Sequence, residues 1–364
     1  MKIAILYNYL ENIGGAELMC LNLAKHYNAD IYTTNISTEK IKLMGFEEVI
    51  PRIYSLGEVH ENAPWRHQST LIKFRRFNPK IKYDVYIIFG EWAISSAVNC
   101  HPNIWYVHSP LREFYDLFDD TKKRIPFGYK TGFSLWVKIN KSLTEKYSKK
   151  VNFVIANSMN TQNRIKIFLK LNSTIIYPLI ETSKFKYKKS GNYWLSVNRL
   201  INHKRVELQL KAFEKLPDEK LIIVGSYEKS SHSEKYVQYI NKLKPKNVKI
   251  KSFVSNKELI DLYANCKATL TTSLDEDFGR LPVESMASGK PVIAPNEGGY
   301  KETITQGKTG ILIDDINPEK IIEAIKIISK NPEKYKKECE KQSKKFDEDN
   351  FFKKFDEVLL NIKK

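Results

Sequence analysis

Met1–His26 reads MKIAILYNYLENIGGAELMCLNLAKH, and this stretch decides the class of fold. Lys2–Tyr7 is an apolar run of β type, Ala16–His26 carries apolar residues at helical spacing, and Gly14-Gly15 turns one into the other. A strand, a glycine turn and a helix make the first half of a βαβ unit. The alternation continues, with strands expected at Ala29–Thr33, Val85–Phe89, Ile104–His108 and Phe153–Asn157. Short apolar strands separated by helical patterns need crossover connections, so the expected class is α/β with a parallel sheet.

After Pro178 the chain turns polar and basic, ETSKFKYKKSGN at residues 181–192, and then the pattern restarts. Strands are expected at Trp194–Val197, Leu221–Val224, Val248–Phe253, Ala268–Thr271, Pro291–Ala294 and Gly310–Ile313, with helices at Glu207–Leu216 and Asn256–Cys266. The segment from Pro332 onward is helical, with apolar positions at Phe351, Phe352, Phe355, Val358, Leu359 and Ile362. A chain of 364 residues is long enough for two cores. The expected domains are 1–185, 186–340 and a C-terminal helical segment, 341–364.

Apolar residues at 42% and charged residues at 28% describe an ordered chain and exclude disorder and low complexity. Cys20, Cys100, Cys266 and Cys339 stand far apart with no CxxC pair. They suggest neither a zinc site nor a disulfide framework, and free thiols point to a reducing, cytoplasmic setting. The opening apolar run meets Asn8 and Glu11 before a signal-peptide core would be complete, and no stretch is apolar enough to span a membrane.

Charge is the unusual property: 60 Lys+Arg against 42 Asp+Glu leave +18. Such a balance implies an anionic partner, whether nucleic acid, an anionic membrane surface or a phosphorylated substrate. Lys73, Arg75, Arg76, Lys80 and Lys82 form one acid-free stretch. A second, Lys122–Lys150, holds nine cations against Glu145, interleaved with Phe127, Tyr129, Phe133, Trp136 and Tyr147. Two readings stand side by side: solvated faces of a lysine-rich protein, or a peripheral membrane patch.

Four constellations carry chemistry. Gly14-Gly15 follow the first strand and open a helix, where bare backbone and unpaired N–H groups could receive an anion. A tight structural turn explains them equally well, and the spacing is neither GxGxxG nor a Walker A loop. Arg199 and Lys204 leave the first strand of the second half, at the carboxyl end where open α/β sheets bind ligands. Two cations there suit a diphosphate; ordinary surface cations are the alternative. In Asp275-Glu276-Asp277-Phe278-Gly279-Arg280-Leu281-Pro282-Val283-Glu284, Pro282 reads as the first helical residue, which places Gly279 near a positive helix end and Glu284 in the first turn. Glu276 and Glu284 can each accept from O–H donors such as sugar or ribose hydroxyls, though an acid at a helix start also serves its dipole, which would account for Glu284. His108, at a strand end before Ser109-Pro110, gains weight only in that company. Asp275–Asp277 and Asp347–Asp349 both spell D-x-D, and neither is read as a metal site.

Taken together these motifs resemble the GT4 family of retaining glycosyltransferases. The likeness extends through Ala287-Ser288-Gly289-Lys290-Pro291-Val292-Ile293-Ala294 and Gly298-Gly299-Tyr300-Lys301-Glu302. His108-Ser109-Pro110-Leu111-Arg112, Asn157-Ser158 and Tyr177-Pro178 are similar to the mannosyltransferase-like branch. The resemblance implies a GT-B architecture: two Rossmann-like domains facing across a cleft, with the C-terminal helix returning to the N-domain. It implies transfer of a hexosyl group, mannosyl favoured, from a nucleoside-diphosphate sugar to a hydroxyl of a glycan or lipid-linked acceptor, without a metal or other cofactor; GDP-mannose is the favoured donor. Arg199 and Lys204 would stabilise the departing diphosphate, Glu276 would bind the donor sugar, and Glu284 the ribose. The Phe278-Gly279-Arg280-Leu281 backbone would donate to sugar or phosphate oxygens. His108 would contact the sugar, and Gly14-Gly15 would let the first loop approach the phosphates.

Four residues depart from the family pattern. Asn198 stands where glycine is usual, Asn202-His203 where Pro and Glu usually precede the lysine, and Arg280 where an apolar residue is common. Two other functions compete. A nucleic-acid-binding protein would explain the charge, but no reading helix or known module is visible. A nucleotide-sugar epimerase would need paired acids for anomeric elimination, which the sequence does not show.

Overall fold

The computed structural model describes residues 1–225, 231–252 and 254–362. The chain divides into two compact units, Met1–Tyr177 with Lys353–Lys364, and Pro178–Phe352.

The first unit contains strands β1 (Ile3–Tyr7), β2 (Asp30–Thr33), β3 (Ile53–Ser55), β4 (Val85–Phe89), β5 (Asn103–Val107), β6 (Phe153–Ala156) and β7 (Thr174–Ile175). They form one parallel sheet in the order β3-β2-β1-β4-β5-β6-β7. Every residue of β1, β4 and β5 is buried, as expected of central strands covered on both faces and written as continuous apolar runs. Leu6, Phe74, Ile88, Trp92 and Trp105 belong to the core beside the sheet. The Gly15–His26 helix takes Glu17 in its first turn and Lys25 and His26 in its last, each at the dipole end that favours its charge.

The second unit contains β8 (Tyr193–Val197), β9 (Lys220–Val224), β10 (Val248–Lys251), β11 (Ala268–Leu270), β12 (Val292–Pro295) and β13 (Gly310–Ile313). Its sheet is also parallel, in the order β10-β9-β8-β11-β12-β13. Strand order reverses between β1 and β4 in the first sheet, and between β8 and β11 in the second. At such a switch point, loops leaving adjacent strands part to opposite faces and open a crevice beyond the carboxyl ends. The loop after β8 carries Arg199 and Lys204; the loop after β11 carries Glu276.

The α/β class and the central strands agree with the sequence reading. Two edge strands escaped it, β3 and β7; both are short and at most half-buried, so they lack an apolar signature. The strand expected to reach Phe253 ends at Lys251, and Phe253 lies outside the described residues.

The units divide at 177/178 rather than at 185. Residues 179–182 are tied to the second unit: the Leu179 carbonyl accepts from Arg280 Nη1 at 2.9 Å, and Thr182 Oγ1 donates to Asp347 at 2.5 Å. Residues 341–352 also stay there, through Gln342 Nε2 donating to the Thr303 carbonyl and Phe346 packing edge-on against Phe278. Only from Lys353 does the terminal helix, Glu348–Asn361, group with the first unit. Phe355 is fully buried against Tyr27, whose hydroxyl donates to Asp356 at 2.8 Å. Among the described residues no helix is long and apolar enough to cross a membrane.

Candidate active site

After β8 the chain passes Asn198, whose N–H donates to the Val224 carbonyl, and then Arg199, which is exposed. A 3₁₀ turn, Asn202–Lys204, follows, and Arg205 adopts a left-handed φ of 49° before the Val206–Glu214 helix. A bulky residue holds that conformation only when its surroundings over-determine it. Here Arg205 Nε donates to the Thr272 carbonyl at 2.7 Å, and its Nη2 pairs with Glu297 at 3.2 Å. Glu297 also accepts the Asp275 N–H at 2.9 Å. Leu274 N–H donates to the His203 carbonyl at 2.8 Å. The loops after β8, β11 and β12 are thus laced together by backbone and one guanidinium.

The lacing presents Lys204 to Glu276. Lys204 Nζ lies 2.5 Å from Glu276 Oε2, with only 13% and 18% of the two side chains exposed. Burial pushes the Glu276 carboxyl upward, but the charge and hydrogen bond of Lys204 outweigh it and hold the group well below its ordinary range. Tyr300 Oη donates toward the same Oε2 at 3.4 Å and shares a 2.7 Å hydrogen bond with Thr271. Glu276 is therefore a carboxylate, ion-paired with Lys204, at the carboxyl side of the switch point.

Two glycines make this packing feasible. Gly279 has φ 83° and a Cβ there would lie 2.6 Å from the Tyr300 ring. Gly298 has φ 53° and its Cβ would lie 2.3 Å from the Glu276 carbonyl oxygen. Both demand a residue with no side chain, on conformation and on space. The Gly298–Tyr300 stretch is thus the support beneath Glu276.

Gly279 is the N-cap of the Arg280–Ala287 helix, so the helix begins two residues before Pro282, the expected start. Glu284 consequently lies beyond the first turn. It is buried; Tyr263 Oη donates to its Oε2 at 2.9 Å and Arg280 Nε to its Oε1 at 3.2 Å. Arg280, which the sequence left without a role, bridges Glu284 and the Leu179 carbonyl. The Phe278 side chain is buried in the core, and Leu281 is buried as well, so only their backbones face a role in binding. N–H groups at a helix start lack intrahelical acceptors, and those of Arg280 and Leu281 occupy that position.

In the first unit, Gly14 caps the Gly15–His26 helix in extended backbone (φ −159°), a conformation open to any residue. A Cβ on Gly14 would meet only the Glu17 carboxylate tip, so the fold itself does not require glycine there. His108 follows β5; its ring packs 5.6 Å from Phe89 and 5.2 Å from Tyr106. The second unit therefore brings together Lys204, Glu276, Gly279 and Tyr300, with the Glu284–Arg280–Tyr263 cluster on the same helix and its neighbour. Arg199 approaches none of these side chains through a hydrogen bond or ion pair. Sequence reasoning passed over Arg205, Glu297, Tyr263 and Tyr300 as site residues. Their signals were faint: Arg205 adjoins Lys204, and Glu297 and Tyr300 bracket the Gly298-Gly299 pair. Among the described residues no group of three or more His, Cys, Asp and Glu side chains could hold a metal ion.

Residues 180–346 match the family described as glycosyl transferases group 1. The chain is 32% identical over 186 residues to alpha-1,3/1,6-mannosyltransferase ALG2 of Dictyostelium discoideum, covering 40% of this chain and 44% of that protein. It is 27% identical over 244 residues to the Candida glabrata ALG2, covering 50% and 53%. The chain thus spans about half the length of the curated relatives it matches. Among solved structures, Anabaena HepE in complex with UDP and glucose aligns with a TM-score of 0.77 at 18% identity, over 99% of this chain and 100% of that one. Sucrose-phosphate synthase from Thermosynechococcus elongatus aligns with a TM-score of 0.76 at 15% identity, over 100% and 99%. With two parallel α/β sheets throughout and the group 1 glycosyl transferase signature matched in the second, the chain has the GT-B fold, and mannosyltransferases are among the proteins it is similar to.

Proposed function

We propose that the chain is a retaining glycosyltransferase that moves a hexosyl group from a nucleoside-diphosphate sugar to a hydroxyl of a glycan or lipid-linked acceptor. The observation that carries this reading is the Lys204–Glu276 pair beside Tyr300 at the switch point of the second sheet. When the anomeric C–O bond breaks, its electron pair goes to the diphosphate, and the new bond forms to the acceptor oxygen on the same face. The acceptor proton leaves on a diphosphate oxygen. Lys204 and Arg199 neutralise the growing charge, and the N–H groups at the start of the Arg280–Ala287 helix add fixed dipoles. Glu276 accepts from the sugar hydroxyls and Glu284 from the ribose. From the first unit, His108 contacts the sugar and Gly14-Gly15 admit the phosphates. No step requires a metal, because side-chain cations supply the charge.

GDP-mannose is the favoured donor, supported by relatives named as mannosyltransferases. A UDP-sugar is the second reading, supported by the HepE complexes with UDP and UDP-glucose. A cytoplasmic location agrees with four free, buried cysteines. Donor hydrolysis measured across GDP-, UDP- and ADP-sugars tests the proposal, with anomeric configuration followed by proton NMR. Turnover of none of them, or an inverted product, refutes it.

A further inference from the structure

We propose that the Phe127–Tyr129 turn and the outer face of the Lys130–Ser148 helix form a docking surface for an anionic lipid bilayer. The helix is apolar on two faces. Its inner face is used: Val137, Asn140, Thr144 and Tyr147 are buried, and Phe133 and Trp136 pack on the core of the first unit. Its outer face is not. Phe127 is 91% exposed, Tyr129 73%, Leu135 59% and Ile139 51%. Gly132, Leu135 and Ile139 recur at helical spacing, so they align as one ridge that continues the exposed turn. A Cβ at Gly128 or Gly132 would meet nothing, so the ridge stands clear of the fold.

This corrects the sequence reading of the stretch. Of the interleaved aromatics, Phe133, Trp136 and Tyr147 serve the core, and only Phe127 and Tyr129 face solvent. In the first basic stretch Ile72 and Ile81 are exposed at the two ends, but Lys73 donates to the Leu56 carbonyl and both of its aromatics, Phe74 and Phe77, are buried.

The charge around the ridge selects the partner. Residues 118–150 hold nine cations and three acids, Asp119, Asp120 and Glu145. Lys123 lies 3.6 Å from Asp120, Lys122 sits over the Phe118 ring and Lys141 over Tyr115. Lys130 and Lys138 flank the ridge on the helix itself, and Arg124 precedes the turn. Aromatic and aliphatic side chains at the headgroup boundary, with lysine stems alongside and ammonium groups on lipid phosphates, are what an interfacial helix presents. A nucleic acid would use the cations and the two aromatics but leave Leu135 and Ile139 exposed to water.

The test uses the full chain and reads sedimentation rather than activity, so it stands apart from the sugar-transfer reading. Vesicles of phosphatidylcholine alone are compared with vesicles containing phosphatidylglycerol. Binding should need the anionic lipid and weaken as salt rises. It should fall about tenfold or more in Phe127→Ser/Tyr129→Ser, in Leu135→Gln/Ile139→Gln, and in Lys122→Glu/Lys123→Glu/Arg124→Glu. These positions are at the surface, and unchanged thermal unfolding confirms that the variants fold. Absence of binding at low salt overturns the proposal, as does binding untouched by the ridge substitutions. Retention on single-stranded RNA that the Phe127/Tyr129 variant loses, with vesicle binding intact, assigns the surface to nucleic acid instead. A self-associated state lost in the Leu135/Ile139 variant assigns it to a second copy.

Discussion

Replacing Lys204 with alanine should separate the two jobs of one ammonium group. In the native protein it lies 2.5 Å from Glu276, and both side chains are mostly withdrawn from water, at 13% and 18% exposed. Removing the lysine leaves a withdrawn carboxylate without its cation, facing the Tyr300 and Ser273 hydroxyls. Breaking a buried pair in this way costs 3–5 kcal/mol, and the residual solvent access here places the cost at the lower end, about 3 kcal/mol. For a unit of this size that corresponds to a loss of roughly 6–12 °C in Tm. Glu276→Gln alone should cost less, and the double variant should recover about 2 kcal/mol relative to the sum, which thermal or urea unfolding of all four proteins measures. The pH dependence has a defined sign. A carboxyl held from 4.5 down to about 2 contributes stability that is present above its unfolded pKa and lost as pH falls toward 2. The gap between native protein and Lys204→Ala should therefore be full near neutrality and close as the pH drops below about 4. Turnover should fall about 10²–10³-fold in Lys204→Ala, as when one donor to a developing anion is removed, and the double variant should not restore it. Strictly additive unfolding energies would refute the coupling, and full turnover in a folded Lys204→Ala protein would refute the diphosphate role.

Gly279→Ala combines a positive φ with a clash against the Tyr300 ring; it should cost about 2 kcal/mol or more in unfolding and abolish turnover, while an alanine at the unconstrained Gly307 in the same unit, where positive φ but no neighbour opposes it, should cost less. Tyr263→Phe leaves a buried Glu284 oxygen without its donor and should cost about 1–3 kcal/mol in unfolding; Arg280→Met releases the other oxygen and should raise the donor KM more than it lowers kcat, and an equal fall in both variants' kcat alone would contradict the ribose assignment. Activity should survive saturating EDTA, and a loss that only Mn²⁺ or Mg²⁺ restores would return Asp275–Asp277 to consideration as ligands.

The central strands were legible because each is an apolar run with no competing periodicity, as in Ile3–Tyr7 and Val85–Phe89. The meeting of Lys204 with Glu276 was legible at one remove. Each could be placed at a strand's carboxyl end, but that β8 and β11 are neighbours is a property of the crossover, not of either motif. Arg205–Glu297 and Tyr263–Glu284 were illegible, because each pairing is set by tertiary packing between separate elements. Gly298 could be seen as a glycine but not as the floor under Glu276, since the contact is with backbone that any sequence would supply. Likewise, the outer ridge of the Lys130–Ser148 helix emerges only once Trp136 and Val137 are known to point inward.

The interrupted make-up of the first unit sets an order of events during synthesis. Pro178–Phe352 is one uninterrupted run of chain, whereas the other unit needs residues 353–361 to cover Tyr27 and to complete the pocket that receives Phe355. An emerging polypeptide makes its N-terminal half first, yet that half leaves the ribosome with an apolar seat still vacant. The Pro178–Phe352 unit has its whole sheet in hand before the seat is filled. The unit begun first is thus the unit finished second.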